Sequence, residues 1–380
     1  MRLLCVSHAA TTEGAERVLA EAAAGLAGRG VEVEVVLPGE GPLGDLLAGQ
    51  GAAVRILPHR PWTRGGRLPR GRGRAWRENL RRAVPAIRQR LEAWPADVVM
   101  TNTLTVPAGA LACRGTGVPH VWYVHELMDP AHGLRFDLGR SLSLRLVDRL
   151  SRRILVNSST TRDAFAGVFP AGKVDVIEPA VPVPDLPAGD APPGPELRCI
   201  VVGNLREGKR QEEAIRAAAR LQERGVPVRL TLLGDEDPSY GRTLRGLAAD
   251  LQLTGAVRFL PHVPDPFPEM AAAHVVVVCS RQESFGRVVV EGMKLGRPVV
   301  GADSGGVAGL LRESGTGRLY RPGDADDLAR ALEDLHRDPE ERERLGREGR
   351  AWARGRFTPD RFTDALLTAL DRARAAGGSA

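Results

Sequence analysis

No apolar run in this 380-residue chain approaches the length of a membrane-crossing helix. The opening MRLLCVSH is also too short for a secretory-signal core before polar AATTEG follows, so a cytoplasmic protein is expected. Cysteine is scarce. Cys5, Cys113, Cys199 and Cys279 are scattered, none forms the close pair a zinc site needs, and three fall in strand-like apolar runs that predict buried, reduced thiols. Aromatic residues make up 4% of the chain, and in its most basic stretch only Trp62 and Trp76 interleave with charge. No nucleic-acid recognition module accompanies them, which argues against a nucleic-acid partner. That same stretch, HRPWTRGGRLPRGRGRAWRENLRRAVPAIRQR (59–90), nearly lacks acid, with Glu78 alone among the arginines.

What is present is a chain long enough for two ordinary domains, with 43% hydrophobic residues and a formal net charge of +6. Wholesale disorder is excluded by that apolar content, and the charge points to an anionic partner. From Trp76 onward, Leu80, Val84, Ile87 and Leu91 recur among arginines at helical spacing. One reading is a basic amphipathic helix making peripheral contact with the anionic inner face of a membrane; the other is a surface helix with its apolar side on the core.

Strand-like runs RLLCVSH, VEVEVVLP, AAVRILP, DVVMTNT, HVWYVHE and RRILVNSS alternate with helix-like stretches, which implies a parallel sheet covered on both faces. The Pro-rich stretch from 181 to 196 interrupts the alternation and reads as a linker. LRCIVVG, PVRLTLLG, AVRFLPHV, HVVVVCS, RPVVGA and TGRLYRP then restart it. The expected fold class is α/β: two facing, doubly wound, Rossmann-like domains with a ligand cleft between them, 1–180 and 197–357, followed by a terminal helix over 358–380.

Glu283 and Glu291 stand eight positions apart in CSRQESFGRVVVEGMKLGRPVVGADSGG, bridging the end of an apolar strand and the following helix. Gly286 permits close backbone approach, and the helix N-terminus suits a phosphate or an array of hydroxyls. Carboxylates beside it repel bare phosphate but accept hydrogen bonds from sugar or ribose hydroxyls, so a nucleotide sugar meets both needs. Two solvated glutamates near a helix start are the plainer alternative. After an earlier strand, GNLREGKRQ nearly spells a P-loop, with Gly203, Gly208 and Lys209, but Arg210 stands where a Mg²⁺-binding hydroxyl belongs. Lys209 with Arg206 or Arg210 still suits a diphosphate. Gly14 precedes another helix, and His125 and His8 each follow a strand. Asp235-Glu236-Asp237 and Asp324-Ala325-Asp326 match a metal-diphosphate pattern, yet one begins a turn and the other caps a helix, so no metal or other cofactor is expected.

ESFGRVVVE resembles the Glu-x7-Glu pattern, with Phe-Gly after the first Glu, of the retaining GT-B glycosyltransferases of family 4. The likeness runs in order through GAERVLAEAAAGLAGRGVEVEVV, VWYVHE, ILVNSSTTRDAF, VGNLREGKRQ and RPVVGADSGG, covering nearly the whole chain. The resemblance implies transfer of a hexose-type sugar from a UDP or GDP sugar to a hydroxyl acceptor, with a catalytic set of His125, Glu283 and Lys209. It places Lys209 and position 204 on the diphosphate and the Gly14 amide on the diphosphate or the acceptor; with Asn204 at that position, Arg206 or Arg210 would substitute on the donor side. Glu283 with Ser284, Phe285 and Gly286 would meet the sugar, Glu291 the ribose, and His125 the donor sugar. The terminal helix would cross back onto the first domain. Two departures stand out: Asn204 where the family has a basic residue, and Gly309 where many relatives carry Glu. An epimerase of similar architecture and a non-catalytic binder of nucleotide sugars or anionic surfaces are the rival readings.

Overall fold

The uninterrupted apolar runs are strands because helices cover both of their faces: every residue of VVMTN, HVWYV and VVVV is buried. A computed structural model describes residues 1–64, 73–127, 135–186 and 194–375. Residues 65–72 of the basic stretch, Arg72 among them, lie outside the described residues, as do 187–193 of the Pro-rich stretch and 376–380 of the tail.

The chain divides into two units, Met1–Ala180 with Pro359–Ala380, and Val181–Thr358. In the first, β1 (Arg2–Val6), β2 (Glu32–Leu37), β3 (Ala53–Ile56), β5 (Val98–Asn102), β6 (His120–Val124), β8 (Arg153–Val156) and β9 (Val174–Val176) form a parallel sheet. Its order is β3-β2-β1-β5-β6-β8-β9, and two-residue strands β4 (Thr63–Arg64) and β7 (Arg135–Phe136) pair antiparallel beside it. The final helix, Pro359–Ala375, belongs to this unit: Phe362, Leu366 and Leu370 share a core with Val18, Leu19 and Leu26 of the helix Gly14–Gly28.

The second unit repeats the plan with β10 (Leu197–Val202), β11 (Val228–Leu233), β12 (Val257–Leu260), β13 (Val275–Val278), β14 (Val299–Ala302) and β15 (Gly317–Tyr320) in the order β12-β11-β10-β13-β14-β15. All its pairings are parallel. In each sheet the order reverses at the first strand, so connections leave β1 and β5, and β10 and β13, toward opposite sides. The crevice beyond the carboxyl ends of those pairs is where such sheets hold ligands.

The basic helix departs from its expected pattern. Val84, Ile87 and Leu91 are buried, but Leu80 is 42% exposed. A π-turn at Asn79–Ala83 interrupts the α-helical register, and buried Asn79 takes the inward place by bonding both backbone groups of Arg60, accepting from its N–H at 3.0 Å and donating to its carbonyl at 2.8 Å. Arg90 reaches buried Glu34 at 2.6 Å, and Arg88 donates to the carbonyls of Ala112 and Arg114. Trp62 is fully buried and stacked between Trp76 and Trp122, which makes it a core residue. All four cysteines are buried, free thiols.

Candidate functional site

β13 delivers the chain into a loop that ends at Gly286, whose φ of 98° lies in the left-handed region and turns the backbone into the helix Arg287–Lys294. The loop is held from behind by the next helix, Gly305–Ser314. Gly306 N–H donates to the Glu283 carbonyl at 2.6 Å. Added Cβ atoms at Gly305 and Gly306 would fall 2.6 Å from the Glu283 oxygen and 2.5 Å from the Phe285 oxygen. SGG is therefore a packing requirement. Phe285 is buried in the core, so its ring faces inward and its backbone faces the loop. Ser284 and Gly286 complete the same turn.

β10 leads to Gly203, whose carbonyl lies so close to Gly234 that a Cβ there would stand 2.4 Å away. Asn204 offers its backbone carbonyl to Gln211 at 3.1 Å. Lys209 ends a short turn, Glu207–Lys209, and its ammonium lies 2.5 Å from Glu283 Oε1. The loops after β10 and β13, adjacent strands where the order reverses, are thus joined by an ion pair. Burial pushes the Glu283 carboxyl up, but the charge and hydrogen bond of Lys209, the hydroxyl of Ser280 and the charge of Arg206 outweigh it and hold the group below the usual carboxylate range.

The two arginines that flank Lys209 differ. Arg210, left-handed at φ 53°, caps the helix Gln211–Glu223 and its guanidinium pairs with buried Glu213, which also accepts the Tyr320 hydroxyl at 2.8 Å. Arg206 is exposed and acts on Glu283 through its charge. Glu291, five residues into its helix, has a side chain 9% exposed with Arg287 Nε 3.6 Å away. Gly309 lies within the helix Gly305–Ser314. Of the acid-x-acid motifs, Asp237 caps the helix Pro238–Asp250 through the amides of Ser239 and Tyr240, a helix start where the sequence predicts a turn, and Asp324 caps Ala325–Arg337.

In the first unit, His125 follows β6. Asn102, the last residue of β5, donates its amide N–H to Ala15 O at 3.0 Å, which fixes its oxygen toward His125 Nε2 at 2.8 Å. Nε2 therefore carries the ring proton, and Nδ1 is a hydrogen-bond acceptor. Burial and the neighbouring His8 push His125 down to about 3, so the ring is neutral at physiological pH. The ring's one N–H, on Nε2, is therefore engaged with Asn102. Gly14 opens the helix Gly14–Gly28, with nothing within 4 Å of where a Cβ would stand. His8 Nε2 lies 3.2 Å from buried Glu16. Sequence reasoning passed over Asn102 and Ser280, each a polar residue closing an apolar run at a strand's carboxyl end; that position was the available signal.

Two α/β units of this order have the architecture that holds ligands beyond the strand ends, and in the second the loops at the reversal point carry the Lys209–Glu283 pair. The family pattern described as Glycosyl transferases group 1 matches residues 186–352, and that of Glycosyltransferase Family 4 matches residues 12–183. A D-inositol 3-phosphate glycosyltransferase of Actinosynnema mirum is 33% identical over 308 residues, 73% of either chain. The lipopolysaccharide core biosynthesis glycosyltransferase LpsE of Rhizobium meliloti is 36% identical over 169 residues, 44% of this chain and 48% of that protein. Anabaena HepE, in a crystal structure with UDP, superposes with a TM-score of 0.80 at 23% identity, covering 98% of this chain and 100% of that one. The chain belongs to the group 1 glycosyltransferases, and its two Rossmann-like domains are those of the GT-B fold.

Proposed function

We propose that the protein transfers a hexose-type sugar from a UDP or GDP sugar to a hydroxyl acceptor with retention of anomeric configuration and without a metal. The observation that carries this reading is the Lys209–Glu283 pair at the reversal point of the second sheet, beside the helix start at Gly286. Lys209 and Arg206 hold the diphosphate; Arg210, engaged with Glu213, shapes the loop they stand on. Glu283 and the 284–286 backbone accept and donate to sugar hydroxyls, Glu291 takes the ribose, and His125 accepts a sugar hydroxyl through Nδ1. Retention follows from same-face attack: the acceptor oxygen bonds to the anomeric carbon as the bond to phosphate breaks, and the departing phosphate takes the acceptor's proton. Stabilising that phosphate is then the main catalytic contribution.

HepE was crystallised with UDP and with UDP-glucose, which supports a UDP-hexose donor here. The names of relatives point to an inositol phosphate and to a lipopolysaccharide core, both hydroxyl acceptors. Among the described residues no helix is long and apolar enough to cross a membrane. A cytoplasmic location, with peripheral contact through the 59–90 segment, fits a lipid-linked acceptor. Incubation with candidate nucleotide sugars tests the reading. Slow release of free nucleoside diphosphate is expected, whereas conversion of the donor sugar with no release would make the protein an epimerase.

A further inference from the structure

Lys294 is a buried lysine that the proposed chemistry does not use. It ends the helix Arg287–Lys294, whose other end is the Gly286 turn, and it is 7% exposed. Its ammonium donates to two main-chain carbonyls remote from each other in sequence, Val181 O at 2.7 Å and Phe357 O at 2.8 Å. Burying an ammonium is costly unless its donors are satisfied, so these two bonds are needed in this place. The segments they hold have a common meaning. The second unit begins at Val181 and ends at Thr358, so Lys294 grips the chain both where it enters that unit and where it leaves.

Three further contacts bind the same joint. Val181 N–H donates directly to Phe357 O at 3.2 Å. The ring of Phe357, 1% exposed, meets the ring of Phe285 edge to face with centroids 5.5 Å apart. The ring of Trp352 also meets Phe357 edge to face, with centroids 5.3 Å apart. Phe285 belongs to the sugar loop and Lys294 to the far end of the helix that follows, so both ends of a stretch of only ten residues hold one point of the chain. A short helix moves as a rigid body, and a shift at its first turn arrives at its last.

We propose that Lys294 is a positioning residue that couples the loop carrying Glu283 to the joint at Val181 and Phe357, so that nucleotide bound at the loop stiffens the two passages of the chain. The inference rests on the nucleotide-sugar site proposed above. By reciprocity, loosening the joint costs nucleotide affinity no more than the factor by which nucleotide tightens the joint, while transfer, which also needs the geometry of the loop, falls further. Binding of the nucleotide alone, held by residues on the loops after β10 and β13, changes less.

The test is amide hydrogen exchange on the full chain, following peptides that contain Val181 and Phe357, with and without saturating UDP or GDP. The wild-type protein should show several-fold slower exchange at Val181 on nucleotide binding. Lys294→Met should lose that protection and lower kcat at least tenfold while nucleotide affinity by calorimetry falls by no more than the several-fold factor of the lost protection. Lys294→Arg, which keeps the charge, should restore part of both. If Lys294→Met does not fold, Lys294→Gln, which keeps an N–H donor on a shorter chain, carries the same measurements. Equal protection of Val181 in wild type and variant, or a variant that melts lower yet keeps kcat and protection, would overturn the coupling and leave a structural lysine. A wild-type protein that binds neither UDP nor GDP would overturn the nucleotide reading, and this inference with it.

Discussion

Lys209 Nζ lies 2.5 Å from Glu283 Oε1, joining residues 74 positions apart across the reversal point of the second sheet. Their side chains are 23% and 24% exposed, so the pair is screened less than a surface ion pair and desolvated less than a buried one. An ammonium carries three N–H donors, and one bond to Glu283 leaves others for phosphate oxygens. The pair thereby sets the group proposed for the diphosphate directly against the group proposed for the sugar.

Lys209→Ala removes a charge-assisted partner of the phosphate, worth on the order of 1.5 to 3 kcal/mol, so nucleoside-diphosphate affinity should fall by roughly 10- to 150-fold. The same change deletes the strongest influence holding Glu283 below the usual carboxylate range, and its pKa should move upward. Calorimetry across pH reads both effects. Unchanged affinity would remove Lys209 from the site.

Glu283→Gln and Glu291→Ala should separate sugar from nucleotide. The first lies on the loop and the second within the helix, beside Arg287. Glu283→Gln is expected to lower transfer by at least tenfold with little change in binding of the nucleotide alone, while Glu291→Ala weakens both. Transfer by Glu283→Gln at the wild-type rate would end the sugar role.

Much of this architecture was legible because its strands are covered on both faces: continuous runs such as AHVVVVCS mark β13, and the glycines of ESFG and DSGG mark turns that only small residues permit. The spacing of Glu283 and Glu291 also carries over directly, since one is placed by a loop and the other by a helix. Pairings across the sheet are a different matter. Nothing local in sequence says that Lys209 meets Glu283, or that Asn102 orients His125, because strand order decides which loops become neighbours. Leu80 lies exposed for a third reason: helical periodicity assumes an uninterrupted α-helix, and the π-turn at Asn79–Ala83 gives the inward position to Asn79.

Glu126 provides a pH test in the first unit. Its carboxylate accepts the amides of Leu104 and His125, each at 3.1 Å, beside Thr103 at a left-handed φ of 79°. Burial pushes its pKa up to about 7, against the lowering effect of those bonds. A carboxyl with a raised folded-state value keeps a proton that the unfolded chain has released, so the folded state binds more protons between its ordinary value and about 7. Its contribution to stability therefore falls as pH rises through that window and levels off above it. Glu126→Gln, which cannot ionise, should lose this dependence, and its thermal midpoint relative to wild type should rise between pH 5 and pH 7.5. Parallel midpoint curves for the two proteins would show that Glu126 does not titrate there.

The basic segment divides into structural and unassigned arginines. Arg88 and Arg90 are held by carbonyls and by Glu34, whereas Arg74, Arg77, Arg81 and Arg82 lie on the exposed side with Leu80. Arg74 has Glu78 3.7 Å away one turn on, which weakens but does not cancel the positive face. If this face meets an acceptor embedded in a membrane, the protein should float with vesicles containing anionic lipid at low salt. It should be released as ionic strength rises, because exposed charges are screened beyond about 10 Å at 0.1 M salt. Replacing Arg72, Arg74, Arg77, Arg81 and Arg82 with Gln should abolish flotation and leave nucleotide binding intact, since Lys209 and both glutamates belong to the other unit. Wild-type protein that stays with the soluble fraction at low salt would assign these arginines to an ordinary solvated face and the acceptor to solution.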